Sequence, residues 1–223
     1  RWVKDSSEFG RPDAVIIPGT KSTISDLNDL RAKNLDQSIQ RHLEDGGFLV
    51  GICGGYQMLG DELVDEAGSD TGKTYCSVEG LGMIPAKTFF KREKETTRTA
   101  AQLHKDTGLL HRHRLEGYEI HLGSTILSQE GCSFLQTTDG KADGYYGKNG
   151  RIIGTYLHHL FHNDGLRNQW LNRVREWKGL PNKEVVHIKD FKDQRFNELA
   201  RQMKDHINWD LLHHIINQWS RRA

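Results

Sequence analysis

Cysteine is scarce in this chain. Only Cys53, Cys76 and Cys132 occur among 223 residues, with no Cys-x-x-Cys pair. An odd, small set of thiols excludes a disulfide framework and a cysteine-rich zinc site, and makes a reducing cytoplasm the default location. No apolar run approaches the ~20 residues that cross a bilayer, and the start, RWVKDSSEFG, lacks the apolar centre of a signal peptide. Excess charge of either sign is also missing: 31 basic residues against 30 acidic give +1. Neither a nucleic-acid surface nor a polybasic membrane patch is supported. The chain begins with Arg1 rather than Met, and reads as a piece of a longer polypeptide.

What is present is the pattern of a large α/β domain. DAVIIPG (Asp13–Gly19) reads as a buried strand stopped by Pro-Gly. A helix follows, with Ser22 or Thr23 as its cap and Ile24, Leu27 and Leu30 on its apolar side. A second helix covers Asp36–Glu44 and stops at Gly46-Gly47. FLVGI (Phe48–Ile52) is a second buried strand, and Gly54–Leu63 continues as helix. This order predicts a parallel sheet covered by helices, whose sites form at the carboxyl ends of the strands.

Further on, Gly80–Lys91, Gly117–Thr125, Phe134–Thr137 and Gly150–Phe161 read as strands, the last after an Asn149-Gly150 hairpin signal. The charged stretch from Phe90 to Gly117 reads as exposed loops and edge strands. Leu166, Trp170, Leu171 and Val174 form one stripe of a helix ended by Gly179 and Pro181. Two more helices, near Lys192–His206 and Trp209–Arg221, make up a C-terminal extension. The boundaries predicted are a domain over 1–180 and a helical extension over 181–223 packed on it.

Gly51-Ile52-Cys53-Gly54-Gly55 has the form of a nucleophile elbow. Small residues flank the nucleophile because bulky ones would clash across the strained strand-to-helix turn. A thiol at a helix N-terminus is biased toward thiolate, and the first N–H groups of that helix can bind an oxyanion. The opposing reading is a small core cysteine with incidental glycines. A cysteine nucleophile needs a base. Of 12 histidines, His158 is the best placed, at the carboxyl end of the apolar run Ile152–Leu157; its opposing reading is an ordinary strand-end histidine. His158 and His162 share a helical spacing suited to zinc, but no His-Glu-x-x-His is present and the run looks extended, so no metal site is assigned. His111 and His113, and His213-His214, read as solvated; Cys76 and Cys132 lack an elbow and read as inert.

IIPGTKSTISDL, GICGGYQMLG, GLGMIPAKTFF, GYEIHLG and GTYLHHLFHND stand in one order along the chain. Together they resemble the glutamine amidotransferase domain of the cobyric acid synthases, over Asp13 to about Asp164, with similarity in the C-terminal helices too. The resemblance implies a three-layer, flavodoxin-like class I (triad-type) glutaminase fold. It implies that L-glutamine supplies ammonia to an ATP-dependent synthetase domain of the same polypeptide, which amidates side-chain carboxylates of a corrinoid in cobalamin biosynthesis. That domain would precede Arg1, and ATP and Mg would belong to it, since no Gly-x4-Gly-Lys-Ser/Thr loop occurs here. No cofactor is assigned to this chain itself.

Carried over by residue, the resemblance makes Cys53 the nucleophile and His158 the catalytic histidine. Gly54 and a backbone N–H at Gly19 or Thr20 become oxyanion donors. Gln57 becomes a substrate contact, and Tyr118 to His121 pocket residues. Two departures stand out. Leu160 occupies the position where many class I glutaminases have Glu; the resembling family also lacks Glu there, so the third triad member is unassigned. His159 stands where the usual His-Gly-Leu-Phe has Gly. Three rivals remain: the sister synthase that makes cobyrinic acid a,c-diamide, a cysteine hydrolase with the same elbow, and an inactive scaffold.

Overall fold

In the computed structural model, residues 1–73, 75–107, 114–130 and 132–220 are described. The chain divides into two units, Arg1–Lys183 and Glu184–Ala223. In the first, β1 (Ala14–Ile17), α1 (Thr23–Ala32), α2 (Leu35–Glu44), β2 (Phe48–Ile52) and α3 (Gly54–Met58) come first. Then come β3 (Glu62–Asp65), β4 (Cys76–Glu79), β5 (Ala86–Leu103), β6 (Leu115–Leu127), β7 (Leu135–Thr137) and β8 (Ala142–Asp143). β9 (Tyr145–Gly147), β10 (Ile152–Thr155) and α4 (Asp164–Trp177) complete the unit.

The central sheet has the order β1-β2-β10-β9. β1 and β10 both pair parallel with β2, while β9 closes the edge antiparallel. β2 is apolar throughout because both of its faces are covered. Leu49 joins the cluster of Ile24, Leu27, Ile39 and Tyr56 from α1, α2 and α3. Phe48 and Val50 join Leu166, Trp170 and Val174 of α4 on the other face. The α4 stripe is therefore the one its period predicted. The Asn149 turn forms as expected, with Lys148, Asn149 and Gly150 all at positive φ between β9 and β10.

Three expectations need correction. The helix predicted over Gly54–Leu63 stops at Met58, because Glu62–Asp65 leaves as a strand that pairs with β4 and β5. Propensity lost there to sheet pairing. Of the loops and edge strands expected after Phe90, the described part is mostly strand: β5 runs unbroken to Leu103 and pairs with β6, with a register shift between Phe90 and Glu95. Polar residues suit that ribbon because they are mostly exposed. Finally, α1 has no cap from Ser22. Its first N–H groups, Thr23 and Ile24, donate to the Asp70 carboxylate at 2.8 and 2.9 Å. Asp65, buried, in turn accepts from the Ser69, Asp70 and Thr71 N–H groups and so shapes that loop.

The second unit contains α5 (Ile188–Lys204) and α6 (Trp209–Ser220). α5 starts four residues before the predicted Lys192. Asn208 Oδ1 accepts from Leu211 N–H at 3.0 Å to cap α6. No helix among the described residues is long and apolar enough to cross a membrane.

A Cβ on Gly55 would sit 2.0 Å from the Ile17 carbonyl oxygen. Backbone of β1 cannot yield without breaking its ladder to β2. Gly55→Ala should therefore cost about 1–3 kcal/mol or more, measured as a lower midpoint in urea unfolding.

Candidate active site

Because β1, β2 and β10 run parallel and in register, their carboxyl ends reach one edge together. Ile17 lies opposite Gly51, and Thr155 opposite Ile52. The next residues are Pro18-Gly19, Cys53, and the turn from Tyr156 to His158. Cys53 N–H donates to the Thr155 carbonyl at 2.9 Å, so the elbow is tied to the strand that delivers the histidine. Cys53 itself has φ 54 and ψ −113. A non-glycine residue held there stores about 1–3 kcal/mol of strain, which persists only where the surroundings fix it. Gly51 and Gly55 make it fixable: a Cβ on Gly51 would lie 2.8 Å from the Gly55 carbonyl oxygen.

Gly19 lies between the two reacting candidates. A Cβ built on it would be 3.2 Å from Cys53 Cβ and 3.3 Å from His158 Cε1. Those two atoms are thus no farther apart than the sum of these distances. Cys53 is 7% exposed, yet it belongs to neither of the two apolar clusters described above. Its Sγ–H donates to the Ile120 carbonyl at 3.3 Å. Thr20 N lies 3.1 Å from a Cβ built on Gly54, so the two predicted oxyanion amides belong to adjacent backbone.

His158 is held from β6. Its N–H donates to the Tyr118 carbonyl at 2.8 Å, an isolated antiparallel bridge. Its ring lies parallel to the Tyr118 ring, 4.9 Å between centroids and 2° between planes. His158 Nε2 is buried and has no hydrogen-bond partner among the described residues. Burial first, then the neighbouring His159, holds the imidazole pKa below 6.5, while the Ile120 carbonyl works the other way. The ring is therefore neutral at pH 7 and able to take a proton.

Both departures acquire a physical description. Leu160 is 2% exposed and packs with Phe48, Leu166 and Trp170, so no carboxylate function sits at that position. His159 has φ 64 and ψ 17, the left-handed region that glycine enters without penalty. A side chain costs about 1–2 kcal/mol there. Its ring stacks on His162 at 4.4 Å and meets Tyr118 edge-on at 4.9 Å.

A family model described as the CobB/CobQ-like glutamine amidotransferase domain matches residues 1–166. The chain belongs to that family. It is 38% identical over 226 residues to the cobyric acid synthase of Desulforamulus reducens, covering 97% of this chain and 44% of that protein. Against the cobyric acid synthase of Geobacillus thermodenitrificans it is 36% identical over 224 residues, covering 100% and 43%. For that of Streptococcus sanguinis the figures are 38% over 228 residues, 98% and 44%. The chain thus spans under half the length of these relatives. Two solved structures share the fold. One is a glutamine amidotransferase, with TM-score 0.53 and 17% identity over 77% of this chain and 84% of its own. The other is a putative GMP synthase protein from Thermoplasma acidophilum, with TM-score 0.50 and 16% identity over 78% and 79%.

In this amidotransferase domain Gln57 is not displayed on the surface of the site. It is 3% exposed. Its Oε1 accepts from Thr23 Oγ1 at 3.1 Å and its Nε2 donates to Tyr156 Oη at 3.2 Å. Tyr156 Oη pairs with Thr125 Oγ1 at 2.6 Å, which pairs with Thr88 Oγ1 at 2.8 Å. This buried network joins α1, α3, the end of β10 and both strands of the ribbon. His121 stacks on Tyr156, with Nδ1 2.6 Å from the Gly123 carbonyl and Nε2 3.5 Å from Glu119. His121, Glu119, Tyr156 and Asp143 line a cavity of about 610 Å³ beside the site.

His111 and His113 lie outside the described residues; His213 and His214 are exposed on α6. Among the described residues no three His, Cys, Asp or Glu side chains group as metal ligands. Asp143, Tyr156 and Thr125 went unnoticed in the sequence. Single polar residues in strands carry no local signal, and only the sheet pairing brings them together.

Asp143 is half-buried at the cavity wall, and desolvation raises its pKa from 3.8 to about 6; the Thr155 hydroxyl at 2.7 Å opposes the rise and Glu119 adds to it. A carboxyl raised in the folded state favours folding below pH 4, and that contribution disappears as pH climbs through about 6. Asp143→Asn should therefore stabilise the domain at pH 8 by roughly 2–3 kcal/mol relative to the parent, and much less at pH 4, in urea unfolding at both values.

Proposed function

We propose that this chain hydrolyses glutamine through Cys53 and His158, and passes the ammonia to an ATP-dependent synthetase partner that amidates corrinoid carboxylates. One observation carries the reading: Gly19, Cys53 and His158 converge at the ends of three parallel strands. Its relatives, cobyric acid synthases of which this chain spans 44% and 43%, support the partner and the corrinoid. In this reading the protein works in the cytoplasm, where glutamine and ATP are both available.

The chemistry divides among the named groups. His158 Nε2 takes the Cys53 proton, releasing Sγ from the Ile120 carbonyl. The thiolate attacks the side-chain carboxamide carbon of glutamine. Gly54 N–H and the amide at Gly19 or Thr20 hold the tetrahedral oxyanion; each such donor contributes roughly 3–4 kcal/mol in a well-studied hydrolase. The His158 imidazolium protonates the departing nitrogen, and ammonia leaves. Water, deprotonated by His158, then cleaves the γ-glutamyl thioester to glutamate. A five-residue α3 has a small dipole, so thiolate formation rests on the histidine more than on the helix. Gln57 acts in this reading by fixing the elbow. Tyr118 and His121 line the approach.

Triphosphate chemistry is assigned elsewhere. Lys21-Ser22-Thr23 precedes a helix, but Asp70 already caps the Thr23 and Ile24 N–H groups where a phosphate would sit. A carboxylate there does not fit that group.

The test is covalent capture with 6-diazo-5-oxo-L-norleucine, a glutamine-mimicking electrophile, followed by peptide mapping. The adduct is expected on Cys53, and Cys53→Ser should lower the labelling rate by about 10³-fold or more. The rate should fall in acid along a limb centred below 6.5, where His158 becomes protonated. Adducts on Cys76 or Cys132 with Cys53 unmodified would overturn the assignment, and turnover of peptides or esters in place of glutamine would favour the hydrolase.

A further inference from the structure

We propose that the Tyr118 ring is a positioning residue for His158, standing in for the carboxylate that Leu160 does not supply, and that His159 keeps Tyr118 in place. The proposal rests on the reading of His158 as proton carrier.

A catalytic imidazole without a carboxylate partner has two needs. Its plane must be fixed so that one nitrogen keeps facing the sulfur, and its cationic form must be favoured once it has accepted a proton. Tyr118 meets both. Its carbonyl accepts the His158 N–H at 2.8 Å, fixing the backbone, and its ring covers the imidazole face at 4.9 Å and 2°. Rotation of the imidazole about χ2 would break that parallel contact, so the ring is restrained to one plane. The π-face of a phenol also attracts a cation, which the imidazole becomes during the reaction. Ile120, two residues along β6, adds its carbonyl at the ring.

His159 closes the arrangement. Its ring meets Tyr118 edge-on and stacks on His162, so the aromatic series His158, Tyr118, His159, His162 is continuous. That contact gives a reason for a side chain at a left-handed position suited to glycine. The titratable groups facing His158 are Cys53 from the elbow, Tyr118 and His121 from β6, and His159 beside it. The Pro18-Gly19 loop contributes none.

The test compares Tyr118→Phe, which keeps the ring, with Tyr118→Leu and Tyr118→Met, which remove it; two non-aromatic variants guard against one failing to fold. The His158 titration is followed by NMR on the whole chain, and inactivation by 6-diazo-5-oxo-L-norleucine is resolved into its maximal rate and its half-saturating concentration. Without the ring, the His158 midpoint should fall by about 0.5 pH unit. The maximal rate should fall about tenfold, with half-saturation within about twofold. Tyr118→Phe should restore both, and His159→Gly should lower the maximal rate the same way by less, while loss of the His159 charge opposes any fall in the midpoint. A midpoint unmoved in both non-aromatic variants overturns the proposal, as does Tyr118→Phe behaving like Tyr118→Leu. If the parent chain is not labelled at all, the glutaminase reading fails, while the NMR midpoints still decide whether Tyr118 governs the imidazole.

Discussion

The hydrogen bond from Cys53 N–H to the Thr155 carbonyl is where fold becomes site. It extends the β2–β10 ladder one residue past the last regular pair, onto a residue with unfavourable dihedrals. Without that tether the elbow could relax, and the thiol would leave the edge where Gly19 and His158 wait. Everything on either side serves it. The apolar clusters on both faces of β2 stop the strand from moving. Glycines at 51 and 55 let the chain turn within backbone contact distance of β1. The Gln57 carboxamide bolts the underside of the turn to α1 and to the residue that follows β10.

What could be read from the chain before folding was what is local. The elbow needs its glycines within five residues, and a buried parallel strand needs a short β-branched run, so both leave marks in sequence. The α4 stripe and the Asn149-Gly150 turn are local in the same sense. What could not be read depends on distant segments. Asp70 caps a helix that starts 47 residues before it, and nothing near Asp70 announces that. The ribbon of β5 and β6 is charged because it is half in solvent, so its composition mimics loop. Gly54–Leu63 has helical propensity throughout, and only the pairing of β3 with β4 and β5 ends α3 at Met58. The burial of Gln57 follows from hydroxyls on Thr23 and Tyr156 that lie 34 and 99 residues away.

The two departures from the class I pattern are also linked in space. Leu160 and His159 follow His158 directly, yet they point into different environments. One completes the apolar layer under α4. The other turns out toward Tyr118 and His162. A chain with leucine where a carboxylate could stand must hold its imidazole from elsewhere, and the element placed to do so is β6, which pairs with β5 outside the central sheet.

That dependence makes the pairing of β5 with β6 matter well beyond stability. Along a strand, side chains alternate sides with every residue. Were β6 to slip by one position, the phenol would swing to the far side and an N–H would replace the Ile120 oxygen beside the sulfur. Imidazole support is consequently two-valued, all present or all lost, with the register that sets Thr96 against Ile120 and Arg98 against Tyr118.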